Sequence, residues 1–243
     1  MRIAILITNT DVSQFAQTRP HDGEKFTSLL HEVRPDWATE WFWAWKGDLP
    51  KDINAFNGVL VTGSPASVND GAGWIDDLEA LVRSLIDDAM PLFGVCFGHQ
   101  LIARALGAHI VTNPFGWSHG LLEIDRVLAR PWDKGLPDSF ALYGSHIEQV
   151  DRLPQGATPA FRSAVCPVAG FALGAHVLTV QHHPEMTHEF VTDLVETYAD
   201  TVGEATTIKA RASLARKADR APFAELIARF FEASARSHAV DAE

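Results

Sequence analysis

Apolar residues along this chain fall into two alternating patterns. Short unbroken runs read as buried strands: Arg2–Thr8, Asn57–Thr62 and Met90–Val95. Between them, apolar positions recur at helical spacing. Phe26, Leu29 and Leu30 share one face of Gly23–Val33; Trp74, Leu78, Leu81, Val82, Leu85 and Ile86 share one face of a later segment. A third helix is predicted over Gln100–Leu106, stopped by Gly107. The second strand ends in Gly63-Ser64-Pro65, a turn signal. Strand and helix in alternation predict an α/β fold, a mostly parallel sheet with helices on both faces.

The second half has another texture. From His109 to Val180 the runs are short and β-like (Leu121–Leu128, Phe140–Tyr143, Thr158–Arg162, Val177–Val180), punctuated by Pro131, Pro137, Pro154 and Pro167. Helical spacing returns at Phe190, Val191, Leu194, Val195 and Tyr198. It returns again at Phe223, Leu226, Ile227, Phe230 and Phe231, a stripe that must be buried against something. Docking on the chain's own core is the plainer reading, and an interface with another subunit or partner the sharper one. Lys209, Arg211, Arg216, Lys217 and Arg220 precede the stripe. They read as a solvated helix face, with a partner-binding basic helix as the alternative. Residues 1–203 are taken as one domain and residues 204–243 as its C-terminal helical extension.

Charge narrows the partners. The 243 residues hold 20 Lys and Arg against 31 Asp and Glu, a net charge of −11. A chain this acidic lacks the basic surface that nucleic acid requires. Its longest apolar stretch, Val168 to Val180, falls short of the about 20 residues that span a bilayer. Two cysteines, Cys96 and Cys166, build no disulfide framework, so a cytoplasmic protein with reduced thiols is expected.

The two cysteines differ in setting. The strand at Met90–Val95 runs straight into Gly94-Val95-Cys96-Phe97-Gly98, and a helix follows. This is a nucleophile elbow with Cys in place of Ser. The helix start favours thiolate over thiol, and the Phe97 N–H is placed to help hold an oxyanion. Its sulfur is expected in solvent rather than in the core. Cys166 has no such setting and reads as core.

A thiol nucleophile needs a base and a group to orient it. Val177–Val180 ends in Gln181-His182-His183-Pro184-Glu185. Period-two alternation lets only one of the two His face the sulfur, and Glu185 is within a turn of His183. A metal site of His182, His183, Glu185 and His188 matches no zinc spacing, and His99 is expected to pack or cap locally.

These motifs resemble the class I, triad-type glutamine amidotransferase family. Its members carry G-x-C-x-G-x-Q, here Gly94 to Gln100, and Q-x-H-P-E, here Gln181 to Glu185. Val61-Thr62-Gly63-Ser64-Pro65 is similar to the family's oxyanion strand, and Tyr143-Gly144-Ser145-His146-Ile147-Glu148 to its substrate-side segment. The resemblance implies a flavodoxin-like sheet with a small antiparallel patch. It implies Cys96 as nucleophile, His183 as base and Glu185 as orienter. The oxyanion hole would be the N–H groups of Gly63 and Phe97, with Gln100, Ser145 and His146 on the γ-glutamyl group. The family's aromatic before His is His182 here. No metal or cofactor is implied.

The chain continues 58 residues past Glu185 without a Walker-type nucleotide loop, so the amination half-reaction is expected elsewhere. Three functions stand open. One is a glutaminase that hands ammonia to a partner, the chain's expected association being with a synthetase or with copies of itself. The second is a stand-alone γ-glutamyl peptidase or hydrolase. The third is a non-catalytic binding protein, which the intact Cys, His and Glu set weighs against.

Overall fold

The computed structural model describes residues 1–241, with side chains described through residue 236. Among these residues, eleven strands and eight α-helices follow in chain order. The first part holds β1 (Arg2–Leu6), α1 (Gln14–Gln17), α2 (Asp22–His31), β2 (Ala38–Phe42), β3 (Gly58–Val61), α3 (Gly73–Asp87), β4 (Leu92–Val95) and α4 (Phe97–Ala105). Then come β5 (Ile110–Thr112), β6 (Ser118–Arg126), β7 (Ser139–His146), β8 (Glu148–Val150), β9 (Thr158–Arg162), β10 (Gly170–Leu173) and β11 (Val177–Val180). Four helices close the chain: α5 (His188–Thr197), α6 (Ala199–Val202), α7 (Glu204–Ser213) and α8 (Arg220–Asp241).

Nine strands form one sheet in the order β2-β1-β3-β4-β11-β10-β9-β6-β7. The first five run parallel, in the flavodoxin-like order with β1 between β2 and β3. The remaining four continue antiparallel, and β5 and β8 make a separate two-stranded ribbon. The antiparallel part is thus far more than the small patch expected. Its two longest strands, β6 and β7 with nine and eight residues, are polar at their ends, so apolar runs mark only part of each while their pairing is continuous.

Alternation along each strand builds two cores. Ile3, Ile5 and Ile7 of β1 and its extension face α2 and α8 on one side. Ala4 and Leu6 face α3 and α4 on the other. Phe93 and Val95 join the first core and Leu92 the second. Phe223, Leu226, Ile227, Phe230 and Phe231 of α8 are all buried in the first core, so the stripe docks on the chain's own sheet. Arg34, just beyond α2, ties this layer down with ion pairs to Glu225 (3.0 Å) and Glu232 (2.6 Å).

The basic run is also largely satisfied within the chain. Arg211 pairs with Glu196 at 2.6 Å, Arg216 with Glu123, and Arg220 with Glu32 at 3.0 Å. Among the described residues no helix is long and apolar enough to cross a membrane.

Candidate active site

The turn from β4 to α4 is strained in the way an elbow requires. Cys96 sits at φ 50°, ψ −103°, a conformation that costs of order 1–3 kcal/mol for a residue with a side chain. Neighbouring strands hold it there. The Cys96 N–H donates to the Val180 carbonyl at 2.9 Å, and the Gly98 N–H to the Thr62 carbonyl at 3.1 Å. A Cβ at Gly98 would come within 2.4 Å of the Val61 carbonyl oxygen, and one at Gly94 within 2.8 Å of Gly98. The two flanking glycines are what let the chain turn so tightly. Phe97, the first residue of α4, carries an N–H with no partner inside its helix.

The sulfur is not out in solvent. Cys96 is only 6% exposed and lies on the lining of a cavity of about 630 Å³. That cavity sits at the C-terminal edge of the parallel strands, around the ends of β1, β3, β4 and β11, as α/β sheets place their ligands. Gly63, Cys96, Gln100, Ser145, His146, His183 and Glu185 all line it. The site residues expected from sequence, Phe97 apart, therefore meet in one place.

His183 follows β11, and its N–H donates to the Tyr143 carbonyl at 2.7 Å, which fixes the loop against β7. Its Nδ1 donates to Glu185 Oε1 at 2.7 Å, leaving Nε2 to exchange protons. Burial works against a charged imidazole here. The Glu185 carboxylate and the Cys96 sulfur outweigh it and hold His183 well above the ordinary histidine range. Gly63 fits closely against both groups: an added Cβ would lie 2.7 Å from His183 Cε1 and 3.4 Å from Cys96 Cβ. Thr8 Oγ1 donates to the carbonyls of Thr62 and Gly63, both at 3.0 Å, and so pins this stretch.

The neighbouring histidines take no such place. His182 turns from the sulfur and sets its ring edge-on to His146, with centroids 5.6 Å apart. Burial, with the nearby imidazoles of His146, His183 and His99, lowers it well below the ordinary value. His146 donates from Nδ1 to the Glu148 carbonyl at 3.0 Å, and burial still brings it down to about 4. His99 is fully buried against Thr179 at 2.8 Å, and burial lowers it to about 3. His188 bonds the Tyr143 hydroxyl at 2.9 Å. Among the described residues no group of three or more His, Cys, Asp or Glu could hold a metal ion. Cys166 is fully buried, and burial pushes its thiol up to about 12.

One site residue escaped the sequence reading. Gln181 Nε2 donates to Cys96 Sγ at 3.5 Å, and Gln181 Oε1 accepts from Gln100 Nε2 at 3.2 Å. Gln100 Nε2 also donates to the Glu148 carbonyl at 2.9 Å. Gln181 lies two residues before His183, so strand alternation could have placed both on the sulfur side. The cavity's aromatic lining, with Phe15, Trp43, Trp45, Trp117 and Phe190, was also missed.

The family model for glutamine amidotransferase class-I matches residues 33–194. The chain belongs to the class-I glutamine amidotransferases. Within that family it is 30% identical over 203 residues to gamma-glutamyl peptidase 3 of Arabidopsis thaliana, covering 80% of this chain and 81% of the relative. It is 30% identical over 186 residues to the glutamine-hydrolyzing GMP synthase of Thermomicrobium roseum, covering 76% of this chain but 32% of that protein. The fold of this class-I amidotransferase is similar to that of a glutamine amidotransferase from Thermotoga maritima. The TM-score is 0.73 at 18% identity, over 95% of this chain and 98% of the other.

Proposed function

We propose that the chain hydrolyses the side-chain amide of glutamine or of a related γ-glutamyl compound through a thioester on Cys96. The observation that carries this is the set of sulfur, imidazole and carboxylate lining one cavity, with Gly63 packed against them. Cys96 Sγ, its proton already passed to His183, attacks the amide carbon as a thiolate. The N–H groups of Gly63 and Phe97 hold the resulting oxyanion, each contributing about 3–4 kcal/mol to the transition state. His183 then gives its proton to the leaving amine as the C–N bond breaks. Water enters, His183 takes its proton, and the thioester opens to glutamate and the restored thiolate. Glu185 keeps the imidazole in the required tautomer throughout. Gln100, Ser145 and His146 hold the γ-glutamyl group. The scheme itself calls on no metal or organic cofactor, and a free thiol of this kind suits a reducing, cytoplasmic compartment.

Two outlets for the amine fit the relatives. The glutamine-hydrolyzing GMP synthase component of Pyrococcus abyssi, 30% identical over 158 residues, supports transfer of ammonia to a synthetase partner. The match to gamma-glutamyl peptidase 3, which spans about four-fifths of both chains, supports a stand-alone hydrolase. The test is glutamate and ammonia release by the isolated chain from glutamine, alongside γ-glutamyl amides and peptides. Release that disappears in Cys96→Ser supports the scheme; release that survives it rules the scheme out.

A further inference from the structure

The cavity is larger than glutamine needs. Glutamine has ten non-hydrogen atoms. At no more than a water's share of about 30 Å³ each, they fill at most about half of the volume. Strand order shows where the rest lies. Gln100, Ser145 and His146 belong to α4 and β7, and β7 lies beyond β11 from the nucleophile. On the opposite side of β4 come β3, β1 and β2. Trp43 directly follows β2, three strand positions from β4, or about 14 Å at the usual strand spacing.

Trp43 and Trp45 wall that far side, while Phe15 and Phe190 wall the cavity beside Tyr143 of β7 and Met186. Trp43, Trp45, Phe15 and Phe190 all line the cavity. Phe15, in the segment after β1, meets Phe190 of α5 with ring centroids 5.5 Å apart, which closes the wall. All four are only partly buried, so they have surface left to offer. The cations beside them differ in their pairing. Arg19 and Lys25 lie over Phe15 and Phe190 and are neutralised by Asp193 (2.6 Å) and Asp22 (3.0 Å). Lys46 lies over Trp43 and Trp45 and, among the described residues, has no carboxylate at ion-pair distance. Ammonia as a leaving group would use none of this surface. An aromatic amino acid would use all of it, its ring against the rings and its carboxylate toward Lys46.

Building on the hydrolase reading above, we infer that the substrate is a γ-glutamyl dipeptide whose second residue is aromatic. Cys96 Sγ bonds to the γ-carbonyl carbon as the C–N bond breaks. His183 protonates the nitrogen, and the aromatic amino acid departs through the walled chamber. Water then releases glutamate.

The wild-type chain is assayed for glutamate release from γ-glutamyl-phenylalanine, γ-glutamyl-glycine, γ-glutamyl-phenethylamine and glutamine. The phenylalanine compound should exceed the glycine compound and glutamine in kcat/KM by about tenfold to a hundredfold. The phenethylamine compound, which lacks the carboxylate, should fall between. Trp43→Ala should collapse the phenylalanine-to-glycine ratio toward one. Phe15→Ala, on a short surface helix, should do the same and covers the case in which Trp43→Ala fails to fold. Lys46→Ala should erase the gap between the phenylalanine and phenethylamine compounds. Cys96-dependent turnover with glutamine or γ-glutamyl-glycine equal to γ-glutamyl-phenylalanine would overturn this proposal while leaving the hydrolase reading intact. Failure to cleave any of the four overturns both.

Discussion

A methyl group added at residue 63 would press on the His183 ring at 2.7 Å while the backbone there stays in an ordinary conformation. Gly63→Ala should therefore spare the fold and damage the chemistry. We expect a loss of about a hundredfold or more in kcat, the size seen when an oxyanion donor or its alignment is lost, with the urea midpoint nearly unchanged. A large drop in the midpoint would mean that the glycine serves packing instead. The paired histidines give a second test. His183→Ala should be close to inactive, while His182→Ala, whose ring packs on His146, should keep measurable turnover. The reverse ranking would overturn the assignment of the base. At this scale the sequence was most informative about Cys96, His183 and Glu185, because two continuous strings carry both the residues and their turns. It misjudged the exposure of Cys96, since the cavity over the sulfur is roofed by residues from elsewhere in the chain. The aromatic wall was illegible for the same reason: Phe15, Trp43 and Phe190 come from three separate segments and share no spacing.

Three elements bring neutral histidines together beside the reactive pair. His99 comes from α4, His146 from β7 and His182 from just after β11. Burial lowers His99 to about 3, His146 to about 4 and His182 well below its ordinary value. The unfolded chain binds protons on these groups below about pH 6.5, and the folded chain does not until the depressed values are reached. The stability these three groups contribute is therefore full above about 6.5 and falls with pH through the window from 6.5 toward 4. Between pH 7 and pH 5 each such group costs about 2 kcal/mol. Urea unfolding at the two pH values should show this loss, and His99→Gln should reduce it by one group's share. An unchanged loss in that variant would mean that His99 titrates in the folded state. Element boundaries followed the same logic of burial. Val177–Val180 was read as it stands because it is a full run of strand formers, and Thr158–Arg162 was read as it stands although its Pro159 and Ala160 are poor ones. The strand β2 was missed: it is an edge strand, paired only with β1, and its Thr39, Glu40 and Trp41 present no apolar run. The short β5, β8 and β10 were missed because three or four residues make no period to read.

At the scale of the whole molecule, α8 is a layer of the fold and also a brace for the site. Its stripe covers the sheet face made by Ile3, Ile5, Leu60 and Phe93, with Phe230 against Phe93 and Trp132 at 6.3 and 5.5 Å. Burying five large apolar side chains contributes about 1.5–3 kcal/mol each, a sum comparable to a domain's whole stability. Removing residues 204–243 should therefore unfold the chain rather than yield an active core. The same helix also reaches the chemistry. Arg220, its first residue, donates from Nε to the Pro184 carbonyl at 3.1 Å, between His183 and Glu185. Two point variants separate these roles. Phe230→Ala should cost about 3–5 kcal/mol in urea unfolding and leave kcat nearly unchanged at low temperature, where the variant stays folded. Arg220→Ala removes a half-exposed ion pair with Glu32, worth under about 1 kcal/mol, and so should barely move the unfolding midpoint. It should lower kcat by about threefold to tenfold with little change in KM, because the Pro184 carbonyl loses its anchor and His183 drifts from the sulfur. Arg220→Lys keeps a donor within reach of the same carbonyl and should retain part of the rate. An Arg220→Ala enzyme with full kcat would reduce α8 to a packing layer alone.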